Sequence, residues 1–129
     1  FLPPLDQNEY FGILKRSDVV LDSTYFSGGV SSVEALSFGK PIVTWPNSPL
    51  GVSRVTNAYY HEMGILDCIA KSGEEYVKLA VRLGTDFNWR AQIELKIKNK
   101  NKHLFKRFEV IDEFEDFFKR SQKSLKRTG

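Results

Sequence analysis

Val19-Val20-Leu21-Asp22-Ser23-Thr24-Tyr25-Phe26-Ser27-Gly28-Gly29-Val30-Ser31-Ser32-Val33-Glu34-Ala35-Leu36-Ser37-Phe38-Gly39-Lys40-Pro41-Ile42-Val43-Thr44-Trp45 is the stretch that decides the fold. Val19-Val20-Leu21 is a short apolar run between Asp18 and Asp22, of the kind covered on both faces in a parallel sheet. Gly28-Gly29 leads into a helical segment from Val30 to Phe38, with Val33, Leu36 and Val30 as its buried side and Gly39 as its terminator. Lys40 and Pro41 precede a second apolar run, Ile42-Val43-Thr44-Trp45. Strand, glycine turn, helix and strand make a crossover unit with parallel strands, so the class is α/β with a Rossmann-like parallel sheet and flanking helices.

The neighbouring segments extend this pattern. Gln7 to Arg16 has helical spacing with Asn8 as N-cap and Tyr10, Phe11 and Leu14 on one side. Ser53 to Met63 reads as a helix stopped by Gly64, and Ile65 to Ala70 as a short apolar segment. Glu74 to Leu83 is amphipathic, with Tyr76, Val77, Ala80, Val81 and Leu83 as core candidates. Gly84-Thr85-Asp86 breaks it and caps a helix in which Trp89, Ile93, Ile97, Lys100 and Leu104 recur. A final helix from Val110 to about Lys123 gathers Ile111, Phe114, Phe117, Phe118 and Leu125 on an apolar side that needs a covering partner.

The chain has 129 residues, 41% hydrophobic and 27% charged, with ten Phe and five Tyr, which excludes a disordered chain. No apolar run reaches the roughly 20 residues of a membrane span. The single Cys68 excludes an internal disulfide and agrees with a reducing, cytoplasmic setting. Residues 1–88 hold 7 Lys+Arg and 10 Asp+Glu, a net of −3, and residues 89–129 hold 12 and 6, a net of +6. The basic balance therefore belongs to the tail, where Lys96-Ile97-Lys98-Asn99-Lys100-Asn101-Lys102 interleaves with apolar positions as the solvated face of a helix does, and nucleic acid is the secondary reading. The apolar opening Phe1-Leu2-Pro3-Pro4-Leu5, without an initiator Met, reads as a segment of a longer protein.

Ligands of parallel α/β sheets sit beyond the carboxyl ends of the strands, which here are the loops Asp22 to Gly29 and Trp45 to Arg54. Glycines that admit a close backbone approach, free N–H groups at a helix start, and the Ser31 and Ser32 hydroxyls together suit an anion such as phosphate. Glu34, one turn on, suits a ribose diol. The same residues also read as a tight turn with ordinary caps, and Arg54 reads either as a phosphate contact or as an ion-pair partner of Asp22 or Glu34. Neither the dinucleotide glycine pattern nor the P-loop is present. His61 and His103 have no partner at motif spacing, and Trp45 and Trp89 read as core.

The run Leu21 to Leu36, then Gly39-Lys40-Pro41-Ile42-Val43-Thr44, then Ser53-Arg54-Val55, resembles the C-terminal catalytic lobe of the O-linked N-acetylglucosamine transferase family, which includes the plant SPINDLY-type enzymes. Ala80 to Asp86 is similar to a later family segment. The resemblance implies the GT-B architecture, with residues 1–88 as the nucleotide-sugar-binding core and residues 89–129 as C-terminal helices packing on it and on an N-terminal lobe outside this chain. It implies an intracellular, cytoplasmic and nuclear, protein O-glycosyltransferase with a TPR-containing parent. That enzyme would move N-acetylglucosamine or fucose from UDP-N-acetylglucosamine or GDP-fucose to Ser/Thr of an acceptor protein, with no metal, no separate cofactor and no membrane partner.

By position, Gly28, Gly29, Val30 and Ser31 would hold the diphosphate, Glu34 the ribose, Tyr10 the base ring, and Leu5 and Gln7 the base edge. The family's pyrophosphate lysine and acceptor groups fall upstream of Phe1, so no catalytic residue is expected in this chain, which alone would be inactive. Ser27 stands where the family has Asn, Val30 where it has Thr, and Gly29 in the SPINDLY-like form, which leaves the donor sugar open. A non-catalytic nucleotide-recognition module and a nucleic-acid-binding module using the basic tail are the alternatives.

Overall fold

The computed structural model describes residues 2–105 and 108–125. The elements are α1 (Gln7–Arg16), β1 (Val20–Leu21), α2 (Val30–Ser37), β2 (Ile42–Val43), α3 (Val55–Met63), α4 (Gly73–Thr85), α5 (Phe87–Lys100) and α6 (Phe108–Leu125), with single 3-10 turns at Gly51–Ser53 and Asn101–Leu104. Strands β1 and β2 are parallel, Val20 opposite Ile42 and Leu21 opposite Val43. Past β2, Thr44 bridges in parallel to Ile69, its N–H donating to Cys68 and its carbonyl accepting from Ala70. The expected crossover unit is present, but the sheet is two short strands and one bridge, so a full Rossmann-like sheet is not formed among the described residues. Its centre is β2, where Ile42 and Val43 are wholly buried; β1 lies at the edge and leaves Leu21 exposed, which corrects the expectation that this run is covered on both faces.

The caps explain the element ends. Asp6, rather than Asn8, caps α1: its carboxylate accepts from the Glu9 N–H while Glu9 accepts from the Asp6 N–H, both at 2.9 Å. Gly39 ends α2 at φ 75°, where a side chain would strain the backbone, with its N–H on Leu36 and that of Lys40 on Ala35. Gly64 ends α3 in the same left-handed conformation. Helix α4 starts after Ser72 and runs through Gly84 to Thr85; the break falls at Asp86, whose carboxylate caps α5 through the Trp89 N–H. Ser53 lies in the 3-10 turn ahead of α3 instead of in the helix.

The core gathers Leu14, Ala35, Leu36, Ile42, Val43, Tyr60, Met63, Ile65, Cys68, Leu83, Ile93 and Ile97. Tyr76 and Ala80 pack against it with Trp89, but Val77, Val81 and Val30 are exposed, against expectation. In α4 the core touches the Tyr76, Leu79, Ala80 and Leu83 stripe, so Val77 and Val81 on the other side face water. Phe114, Phe117 and Phe118 of α6 are exposed with Ile111, while the Leu125 side chain lies outside the described residues. Among the described residues no helix is long and apolar enough to cross a membrane.

The lysine run is put to structural use. Lys100 Nζ donates to the Gly64 carbonyl at the end of α3, and Asn101 Nδ2 donates to Leu36 and Ser37 at the end of α2. The Lys98 chain lies over Gly39, Lys96 pairs with Asp67 at 2.9 Å, and Arg90 donates to Leu83 at the end of α4 while pairing with Asp18. The two ends of α5 thus bring cations and an amide to the negative ends of three other helices.

Tyr60 is buried beside β2, where its hydroxyl accepts from the Ile42 N–H and donates to the Ile42 carbonyl, both at 2.8 Å. Burial pushes its pKa well above the usual tyrosine value, and burial pushes the Cys68 thiol, normally near 9, up to about 12. Both groups are neutral when protonated, so below pH 9 they bind the same protons folded and unfolded. Above it the unfolded chain ionises first and stability falls. Thermal melts should therefore show a melting temperature unaffected by these two groups up to about pH 9 and declining from there towards pH 12. The decline should be shallower in Cys68→Ala.

Candidate functional site

The loop after β1 folds around a buried carboxylate. Asp22 accepts hydrogen bonds from Ser27 Oγ and Thr44 Oγ1, both at 2.7 Å, and from the Gly28 N–H at 2.9 Å, while Tyr76 donates to its backbone carbonyl at 2.8 Å. Beyond Ser27, Thr56 Oγ1 lies 2.9 Å from Ser27 Oγ and 2.9 Å from Ser32 Oγ. A serine has one hydroxyl proton, and Ser27 faces two acceptors with it, the Asp22 carboxylate at the shorter distance and Thr56 Oγ1, while its oxygen accepts from the Thr56 N–H at 3.0 Å; Thr56 Oγ1 in turn donates to the Gly28 carbonyl at 3.4 Å. Asp22, Ser27, Ser32, Thr44 and Thr56 are all buried. Buried hydroxyls are stable only when satisfied in this way.

This anchoring presents the glycine turn to solvent. Val20, Leu21, Asp22, Ser23, Phe26, Ser27, Gly28, Gly29 and Ser31 line an open depression of about 380 Å³ at the carboxyl end of β1. Gly29 is the N-cap of α2, and no side chain caps the helix, which leaves its first-turn N–H groups free of side-chain partners at the positive end of the helix dipole. The two glycines differ. A Cβ on Gly28 would stand 2.3 Å from Ser32 Oγ and 2.9 Å from Ser31 Oγ, whereas one on Gly29 would meet nothing within 4 Å.

Gly28, Gly29 and Ser31 line the depression; Val30, between them, is 75% exposed and turned to solvent. Tyr10 and Glu34 are brought together by α1 and α2, whose packing rests on the Phe11 and Phe38 rings 5.3 Å apart and on Lys15 over Phe38. Partial burial, then the charge of Glu34 and a hydrogen bond to it, raise the Tyr10 phenol above its usual value. Leu5 is half-buried just ahead of α1, and Gln7 is exposed at its first position. Neither of them, nor Tyr10, Glu34 or Arg54, lines the depression below Gly28. Arg54 is the exposed N-cap of α3 and forms no ion pair with Asp22, Glu34 or any other described residue.

The anchors Ser27, Ser32, Thr44 and Thr56, and the lining residue Phe26, have no periodic signal in the sequence. The Asp22 and Ser27 pair is the one local hint, since a loop carboxylate with a hydroxyl five residues on can close on itself.

Residues 7–112 match glycosyl transferase family 41. Over 81 residues, 63% of this chain, the sequence is 37% identical to a UDP-N-acetylglucosamine--peptide N-acetylglucosaminyltransferase of Caenorhabditis elegans, of which the match spans 7%. The fold superposes on a variant of the O-GlcNAc transferase from Thermobaculum terrenum with a TM-score of 0.79 and 26% identity, covering 92% of this chain and 23% of that one. A crossover unit, a glycine turn opening at a strand's carboxyl end, and this extent of matching agree: the chain belongs to glycosyl transferase family 41.

Proposed function

We propose that this chain is the donor-binding lobe of a GT-B protein O-glycosyltransferase that passes N-acetylglucosamine, or fucose, from a nucleoside diphosphate sugar to Ser/Thr of an intracellular acceptor protein. The observation that carries this reading is the uncapped start of α2 above an open depression, in a member of a glycosyltransferase family. N–H groups of Gly29 to Ser31 would hold the diphosphate and stabilise the charge it gains as it departs, while Gly28, expected to join them, has its N–H on Asp22 and shapes the turn, with no metal in the scheme. Arg54 would add a cation. A ribose diol at Glu34 would meet Tyr10 in the same contact, and Leu5 and Gln7 would lie towards the base. Residues 1–88 would carry the donor and residues 89–129 pack on them, with the exposed face of α6 turned to an N-terminal lobe.

The lysines that suggested nucleic acid are held against helix ends and Asp67, which favours the donor-site reading over the basic-tail one. Calorimetric titration of the intact protein with UDP, GDP and their sugars tests the reading. Glu34→Ala should weaken binding on the order of tenfold, the loss of one charge-assisted hydrogen bond, and Lys100→Ala should leave it unchanged. Equal effects would displace the ribose from Glu34. Absence of binding by either nucleotide would remove the donor-lobe assignment in favour of a non-catalytic module.

A further inference from the structure

We infer that Thr56 is a positioning residue for the donor site: from the first turn of α3 it holds Arg54 in register with the N–H cradle at Gly29 to Ser31. This inference rests on the donor-site reading above and extends it to a residue that touches no part of the ligand. Thr56 is wholly buried, and its contacts reach two pieces of chain outside its own helix. Its hydroxyl lies 2.9 Å from Ser27 in the loop after β1 and 2.9 Å from Ser32 in the first turn of α2, and its own N–H donates to Ser27 Oγ at 3.0 Å. Its hydroxyl also donates to the Gly28 carbonyl at 3.4 Å, and Ser27, whose Oγ faces both Thr56 and the Asp22 carboxylate, continues the network to Asp22.

A network of buried hydroxyls that ends on a carboxylate holds the elements it joins to one arrangement. Slippage of α3 against α2 would leave a hydroxyl in the interior without a partner. Two residues before Thr56 stands Arg54, the N-cap of α3, with its side chain exposed. The backbone that carries this guanidinium is therefore tied, through one threonine, to the turn whose N–H groups would meet the same diphosphate. A valine would fill the same space and keep none of this, because burial alone does not distinguish one rotation of the helix start from another.

The test is UDP and GDP binding by the intact protein in a double-mutant cycle. Thr56→Val should weaken binding about tenfold, Thr56→Ser should restore it to within about threefold, and in an Arg54→Ala background the added effect of Thr56→Val should shrink to about threefold or less, since the two act through one geometry. A Thr56→Val protein that melts earlier but binds as the wild type does would make Thr56 structural only and overturn the inference. So would an equal loss in both backgrounds. If Thr56→Val does not fold, Ser32→Ala, which removes only the Ser32 hydroxyl from Thr56, carries the same cycle: its effect should also diminish when Arg54 is absent, and undiminished loss would overturn the inference. Wild-type protein that binds neither nucleotide would remove the donor site itself, a result distinct from any of these and fatal to both.

Discussion

Gly28→Ala should destabilise the protein by about 2 kcal/mol and weaken nucleoside diphosphate binding on the order of a hundredfold, while Gly29→Ala, one residue along, should lose at most about 1 kcal/mol. The difference lies in what a methyl group would meet. At position 28 it stands 2.3 Å from Ser32 Oγ. Ser31 Oγ, at 2.9 Å, is exposed and can rotate away, but Ser32 is buried and bonded to Thr56, so displacing its hydroxyl breaks a hydrogen bond that has no replacement in the interior. The alternative is movement of the Gly28 backbone, which loses the 2.9 Å bond from its N–H to Asp22. Either way the cradle is displaced where a phosphate would approach. At Gly29 a Cβ finds open space, and the cost is the poorer N-cap preference of alanine. Calorimetry with UDP and GDP, beside thermal melts of both variants, checks this. Equal losses for the two glycines would mean that the turn is selected for backbone freedom alone.

This asymmetry marks where the sequence was legible and where it was not. The crossover unit was legible because Val19-Val20-Leu21 and Ile42-Val43 are continuous apolar runs and Gly39 closes the helix between them at positive φ. Ile93 and Ile97 follow the helical period and lie in the core. Val77 and Val81 follow a similar spacing and are exposed, because periodicity finds an apolar side and cannot say how wide a stripe the neighbours cover. The lysine run looked like a solvated face; its contacts with Gly64 and Gly39 depend on where two other helices end, which no window around residue 98 contains.

For the site, the glycine turn and Glu34 could be named from local chemistry, and Tyr10 came from the resemblance. That Tyr10 lies near enough to Glu34 for the carboxylate to raise its phenol is a consequence of α1 packing on α2 through Phe11 and Phe38. The hydroxyl chain was the least legible part. Ser27, Ser32, Thr44 and Thr56 are scattered polar residues whose burial follows from four elements meeting at one carboxylate.

That convergence sets the largest expected effect in the molecule. Asp22→Ala removes the acceptor of two hydroxyls and one N–H at once, all within the interior, and should destabilise the protein by about 3 to 5 kcal/mol, each orphaned donor costing about 1 to 3 kcal/mol before the surroundings relax. Asp22→Asn should fall between that variant and the wild type. Its amide oxygen can stand where the carboxylate oxygen Oδ2 stood and keep both Ser27 and Thr44, which leaves its NH₂ group facing the Gly28 N–H, donor against donor. The opposite rotamer keeps the Gly28 bond but turns the NH₂ group on both hydroxyls, so the first costs less. The cost of Asp22→Asn is then the lost bond from Gly28, and it should be unchanged in a Thr44→Val background. A smaller cost in that background would mean that the amide nitrogen sits towards the hydroxyls. Urea unfolding of Asp22→Ala, Asp22→Asn, Thr44→Val and the Asp22→Asn/Thr44→Val double mutant measures these differences directly. A loss below about 1 kcal/mol for Asp22→Ala, within the range of an ordinary surface substitution, would show that the loop does not depend on this carboxylate.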